Sequence, residues 1–138
     1  MSGAGTGGRS SRSKPPVVLI IDDVEDNREM YAMYLEHVGL QAVLASDGLE
    51  GLARARELCP DVIVLDLSMP VIDGWEAARL LRADQATKQI PVIVLTGHAI
   101  QGMTHAADCD ALLTKPCLPE DLYAEIQRQL VGGGAAHR

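Results

Sequence analysis

Val62-Ile63-Val64-Leu65-Asp66 is a run of four apolar residues, three of them β-branched, closed by a carboxylate. A strand with one wet face alternates apolar with polar side chains. This run does not alternate, so both of its faces are covered, as in the middle of a parallel sheet. Val17-Val18-Leu19-Ile20-Ile21 and Val92-Ile93-Val94-Leu95 have the same character. Asp22 and Asp23 close the first, and Thr96 closes the second. Gln41–Ser46 (QAVLAS) and Ala111–Thr114 (ALLT) are weaker runs that suit outer strands, and Lys115 follows the latter.

Helical signals separate these runs. Tyr31, Tyr34, Leu35 and Val38 fall at i, i+3, i+4 and i+7, and Gly39 supplies a stop. Asp47-x-x-Glu50 and Asp73-x-x-Glu76 have capping-box spacing, with Asp as the cap, and predict helices running to Cys59 and Ala83. Pro119, followed by Glu120 and Asp121, opens a last helix on which Leu122, Ile126 and Leu130 recur every fourth residue. A short helix is expected over Gln101–Ala107. Strand and helix thus alternate five times. The pattern predicts an α/β fold, a doubly wound parallel sheet in the order 2-1-3-4-5 with helices on both faces. Ligands bind such sheets at the carboxyl ends of the strands, where the strand order reverses. Asp22, Asp23, Asp66, Thr96 and Lys115 all fall on that edge.

Composition narrows the function classes. The chain has 138 residues, 47% of them hydrophobic, enough for one folded core. Aromatic residues are 3% with no Phe, so the core rests on Val, Ile, Leu and Ala. The net charge is −7, yet Arg9, Arg12, Lys14 and Arg138 lie in the tails, leaving eight Lys and Arg against all 19 acids in the body. So acidic a body repels phosphate backbones and argues against direct nucleic-acid binding. Cys59, Cys109 and Cys117 form no C-x-x-C pair, which suits a reducing, cytoplasmic setting. No apolar run approaches membrane-spanning length, and the Gly- and Ser-rich start has no signal-peptide core. The expected organisation is a flexible tail over 1–16, one domain over 17–131 and a second flexible tail over 132–138.

The clustered residues define a chemistry. Three carboxylates in one crevice do not all stay ionised without a cation. Mg²⁺ suits them, because it takes oxygen ligands from one or two carboxylates and completes its shell with phosphate oxygens. With Lys115 contributing one positive charge and Mg²⁺ two, the three carboxylates are balanced. A phosphoryl group arriving there meets a metal, an ammonium and the Thr96 hydroxyl. Phosphoryl transfer asks for little beyond such positioning and neutralisation, and an Asp can serve as the nucleophile.

Ile21-Asp22-Asp23, Asp66-Leu67-Ser68-Met69-Pro70-x-x-Asp73-Gly74, Leu95-Thr96 and Leu113-Thr114-Lys115-Pro116 together resemble the response-regulator receiver family of two-component signalling. The likeness covers Val17 to Val131 and implies a flavodoxin-like receiver fold. It implies that Asp66 accepts a phosphoryl group from the phosphohistidine of a histidine kinase or phosphotransfer protein. Asp23 and Asp66 would ligate Mg²⁺ directly, Asp22 largely through water, and Ser68 through its backbone carbonyl. Thr96 would hydrogen-bond a phosphoryl oxygen, and Lys115 would pair with phosphate and carboxylate. The Lys115-Pro116 bond would be cis. Ser68 and His98 occupy the two positions that tune phosphoryl lifetime in the family.

Three positions depart from the family pattern. Leu112 stands where an aromatic residue is usual, three residues before the lysine. Thr96 to Lys115 spans 19 positions, roughly three fewer than the family, which shortens the fourth helix by nearly a turn. Asp108 replaces a common Gly. All three fall on the usual output face, so a muted response is expected there, with Asn27, Arg28 and Tyr31 as the alternative partner surface. No DNA-binding or enzymatic domain fits into Gly132–Arg138, so a stand-alone receiver is expected, signalling by protein contact or passing phosphate on. Its only reactions would be self-phosphorylation and autodephosphorylation. A fragment of a hybrid kinase or larger regulator is the alternative. An Asp-nucleophile, Mg²⁺-dependent phosphatase needs a second Asp where Ser68 stands. An FMN site needs a phosphate-cradling loop where Asp23-Val24-Glu25-Asp26 would repel phosphate.

Overall fold

The structure, a computed structural model, describes residues 14–67, 74–97 and 109–136. Its elements in chain order are β1 (Val17–Ile21), α1 (Glu25–His37), β2 (Gln41–Ala45), α2 (Gly48–Leu58), β3 (Val62–Asp66), α3 (Gly74–Ala83), β4 (Val92–Thr96), β5 (Ala111–Thr114) and α4 (Pro119–Ala136). The five strands form one parallel sheet in the order β2-β1-β3-β4-β5. That is the predicted order, and it puts the apolar runs β1, β3 and β4 in the middle.

Period-two geometry turns each apolar run into two core faces. Leu19, Ile21, Ile63, Leu65, Val92 and Val94 point toward α2 and α3, where they pack with Ala55, Ala77, Ala78 and Leu81. Val18, Ile20, Val62, Val64, Ile93 and Leu95 point the other way, to Tyr31 and Leu35 of α1 and Leu122 and Ile126 of α4. All residues of β3 and β4 are buried, which is why neither run alternates in polarity. Gly51 of α2 sits against Ile21 so closely that a Cβ would overlap its side chain.

The helix ends follow local chemistry. Asp47 caps α2 by accepting from the Glu50 N–H at 2.8 Å, a contact worth about 1 kcal/mol. Glu50 turns back as a capping box requires, but one residue further than the spacing predicts, to the Ser46 N–H at 2.7 Å and hydroxyl at 2.8 Å. Gly39 takes φ +100°, the left-handed turn that ends α1. The last helix does not stop at Val131 as the sequence suggests. It runs through Gly132 to Ala136, because no proline or left-handed cap interrupts it. Both the expected Gln101–Ala107 helix and Asp73 lie outside the described residues, as do residues 1–13.

Arg82 fastens the far end of the sheet. Its guanidinium donates to the Lys88 and Ile90 carbonyls at 3.0 and 3.3 Å and to Asp110 Oδ2 at 2.6 Å. The same Asp110 oxygen accepts from the Val92 N–H at 2.8 Å, so one carboxylate joins the starts of β4 and β5.

Candidate functional site

The carboxyl ends of β1, β3, β4 and β5 bring Asp22, Asp23, Asp66, Thr96 and Lys115 to one edge. Strand pairing continues past each run and sets their level. The Leu67 N–H donates to the Leu95 carbonyl at 2.8 Å, and the Lys115 N–H to the Thr96 carbonyl at 2.7 Å. One carboxylate oxygen from each of Asp22, Asp23 and Asp66 lies within 4.8 Å of the others. Asp22 and Asp66 are buried, and Asp23 is exposed at the mouth. Lys115 Nζ donates to Asp66 Oδ1 at 3.0 Å. Thr96 is fully buried beside them.

The electrostatics fit a hard cation. Burial pushes the Asp22 carboxyl up, and the nearby Asp66 and Asp23 charges push the same way. The Val24 N–H, donating to Asp22 Oδ1 at 2.9 Å, and the Lys115 charge oppose them without prevailing. Three close oxygen donors with such mutual repulsion match what a small divalent ion requires. A sulfur-seeking or nitrogen-seeking metal has no ligand among them.

Close packing shapes the exit of β3. The Gly74 N–H donates to the Leu67 carbonyl at 2.9 Å. A Cβ on Gly74 would stand 2.5 Å from the Leu67 Cα and 2.7 Å from the Asp66 carbonyl oxygen. Only glycine lets α3 begin this close to the backbone that carries Asp66.

The Lys115-Pro116 peptide is cis, as the resemblance implies. Leu112 is half-buried and packs on the α2–α3 side of the sheet. Ser68, His98 and Asp108 lie outside the described residues. Of the surface expected at Asn27, Arg28 and Tyr31, the first two residues are half-buried and the third is buried. Tyr31 is 4% exposed, its hydroxyl donating to the Cys117 carbonyl at 2.8 Å. Arg28 is turned inward onto the Asp22 carbonyl oxygen at 2.7 Å. Burial first, then the nearby Cys117, Asp22 and Asp66 charges, push the Tyr31 phenol up to about 12, so it stays protonated as a donor. The exposed face of α1 belongs to Met30 and Met33, 43% and 72% exposed. They line a groove of about 650 Å³ with Asp26, Glu29, Tyr34, His37 and Pro119. Neither tether of α1, the local one from Arg28 to Asp22 nor the long-range one from Tyr31 to Cys117, is legible in the sequence.

A family model described as the response regulator receiver domain matches residues 18–127. The DNA-binding dual master transcriptional regulator RpaA of Synechocystis sp. is 38% identical over 120 residues, 83% of this chain and 49% of that protein. The chain thus spans about half that relative's length. The polar-differentiation response regulator DivK of Brucella anthropi is 33% identical over 105 residues, 74% of this chain and 85% of its own. Among solved structures, the chemotaxis response regulator CheY4 of Vibrio cholerae has a TM-score of 0.77 at 32% identity, over 83% of this chain and 98% of its own. The receiver domain of sensor histidine kinase PA1611 from Pseudomonas aeruginosa, solved with magnesium coordinated in its active-site cleft, has a TM-score of 0.77 at 28% identity, over 84% of this chain and 98% of its own. The family match runs from β1 into α4 and spans the edge where the carboxylates meet, and the chain belongs to the response-regulator receiver family of two-component systems.

Proposed function

We propose that Asp66 is the phosphoacceptor of this receiver and that a histidine kinase or phosphotransfer protein is the donor. The observation that carries the reading is the cluster itself, Asp66 within 4.8 Å of Asp22 and Asp23 and held at 3.0 Å by Lys115. An oxygen of Asp66 attacks phosphorus, the bond from phosphorus to the donor imidazole breaks, and an acyl phosphate remains on Asp66. Lys115 neutralises charge on Asp66 before transfer and on the phosphoryl oxygens after it. The Thr96 hydroxyl donates to one of those oxygens.

Asp22, Asp23, Asp66 and the Ser68 backbone carbonyl would hold Mg²⁺, as the donor chemistry and the magnesium in the PA1611 cleft support. Bound there, the ion supplies positive charge against the transferring phosphoryl group. The side chains prepare that step. Asp22 is fixed by Val24 and Arg28, while Asp23 stays exposed, where an entering ion meets it first.

In this reading the chain is a signalling module rather than an enzyme acting on other substrates, with only its own phosphorylation and dephosphorylation. It works through protein partners in the cytoplasm, within one domain that begins near Val17 and takes in the whole of α4. No helix among the described residues is long and apolar enough to cross a membrane. The PA1611 receiver is part of a sensor histidine kinase, which favours a second reading of this chain as part of a hybrid kinase or larger regulator. A transcript reading in frame beyond Arg138 would decide for it.

Incubation with acetyl phosphate and Mg²⁺, followed by intact mass spectrometry, tests the main proposal. One added phosphoryl group is expected on the wild type and none on Asp66→Asn. Undiminished labelling of that variant would refute the assignment.

A further inference from the structure

Helix α1 grips the site from both sides. On the carboxylate side, Arg28 donates to the Asp22 carbonyl oxygen at 2.7 Å. Three residues later on the same helix, the Tyr31 hydroxyl donates at 2.8 Å to the Cys117 carbonyl oxygen, 86 residues away on the lysine side. Lys115 is bracketed by two anchors. Its own N–H is tied to the Thr96 carbonyl at 2.7 Å, and two residues on, the Cys117 carbonyl is tied to Tyr31. Between those anchors its ammonium reaches Asp66 Oδ1 at 3.0 Å.

Packing alone asks only for the ring. Tyr31 belongs to the apolar layer with Leu35, Leu122 and Ile126, where a phenylalanine would fill the same place. The hydroxyl adds a directional bond, and burying it without a partner would be unfavourable. Donors already held where charge will develop need no reorganisation when the charge arrives. A small displacement of such a group has a large effect on a phosphoryl site.

We infer that Tyr31 is a positioning residue, whose hydroxyl sets the loop 115–117 against the same helix that holds Asp22, so that the Lys115 ammonium stands ready at Asp66. This rests on the roles proposed above for Asp66 and Lys115. Its distinctive consequence is a division of labour, because removing the hydroxyl loosens the lysine arm while leaving the carboxylates where they are.

Mg²⁺ alone, and then beryllofluoride as a phosphoryl mimic at saturating Mg²⁺, are titrated into the full chain and its Tyr31→Phe variant. Ile126→Val, a trimming in the same apolar layer that leaves the Tyr31 hydroxyl and its bond to Cys117 in place, serves as the control for lost stability. Tyr31→Phe is expected to weaken beryllofluoride binding by roughly threefold to tenfold, the weight of one neutral hydrogen bond. Its Mg²⁺ affinity should remain at the wild-type level, and Ile126→Val should match wild type for both ligands. Wild-type beryllofluoride affinity in Tyr31→Phe, an equal loss in Ile126→Val, or a parallel loss of Mg²⁺ affinity each overturns the inference. A wild-type protein that binds no beryllofluoride, or an Asp66→Asn variant that binds it undiminished, overturns the underlying site assignment instead.

Discussion

Replacing Gly74 by alanine sets two opposing effects against each other. Alanine favours a helix over glycine by up to about 1 kcal/mol. Against that, the new methyl would stand 2.5 Å from the Leu67 Cα and 2.7 Å from the Asp66 carbonyl oxygen. Carbon pairs are at ease near 3.5–4.0 Å, so roughly 1 Å of separation must be found. Both obstacles are backbone, and the backbone in question leaves β3, which is wholly buried. Overpacking of this kind costs about 1–3 kcal/mol, and a rigid obstacle puts the cost at the upper end. The clash therefore wins, with a net loss of about 1–2 kcal/mol. With a urea m-value of about 2 kcal/mol/M, the unfolding midpoint falls by roughly 0.5–1 M. Acetyl phosphate labelling should slow as well, because the displaced backbone carries Asp66. Gly132→Ala is the matched opposite. It lies in α4 with nothing within 4 Å of a new Cβ, so only the propensity gain remains and the midpoint should rise by a few tenths of a molar unit. A Gly74→Ala midpoint equal to or above wild type would show that the approach of α3 to β3 is not as tight as described.

Asp23→Asn removes the exposed ligand charge and should weaken Mg²⁺ by at least about tenfold in a calorimetric titration; unchanged affinity would place the metal elsewhere. Lys115→Ala should keep the circular dichroism spectrum and Mg²⁺ binding of the wild type while labelling by acetyl phosphate slows, whereas gross unfolding would make Lys115 structural. Glu50 is held below the ordinary 4.5 of a glutamate, chiefly by the Ser46 N–H and then its hydroxyl. Its contribution to stability is therefore complete above pH 4.5 and lost as pH falls through the lowered folded-state value, so urea midpoints of wild type and Glu50→Gln should converge in acid. Beryllofluoride should alter hydrogen exchange more around Asp66, Thr96 and the start of α1 than across 111–131, where Leu112 replaces the usual aromatic residue; strong changes across that span would show that this face responds as the family's usual output face.

Much of the site was legible because the residues that close the apolar runs are polar and few. In a parallel sheet the ends of β1, β3, β4 and β5 necessarily meet, so knowing the strand order suffices to gather Asp22, Asp66, Thr96 and Lys115. The tethers from Arg28 and Tyr31 were not legible, since both end on backbone carbonyls, which carry no residue-type signal. Helical spacing correctly grouped Tyr31 with Leu35, but it does not say which face of α1 turns inward near its start. Tyr31 was nonetheless expected at a partner surface, and it is buried. Gly132 and its neighbours looked like a tail because glycine is a poor helix former. Propensity is a weak signal, however, and nothing in that stretch offers the backbone an alternative partner.

The sheet divides the interior into two compartments that share no packing residue, one under α2 and α3 and the other under α1 and α4. Losses in separate compartments should therefore add, whereas losses within one should couple through a common cavity. Leu81→Ala and Ile126→Val would behave as independent changes; Leu35→Ala and Ile126→Val would not. Sequence drift on the α2–α3 side can thus be absorbed without disturbing Tyr31 and the loop it holds. In the α1–α4 layer, a substitution that costs the Tyr31 hydroxyl its bond to Cys117 is felt at the lysine arm of the site. The two halves of this core are unequally free to evolve, and the strands between them answer to both.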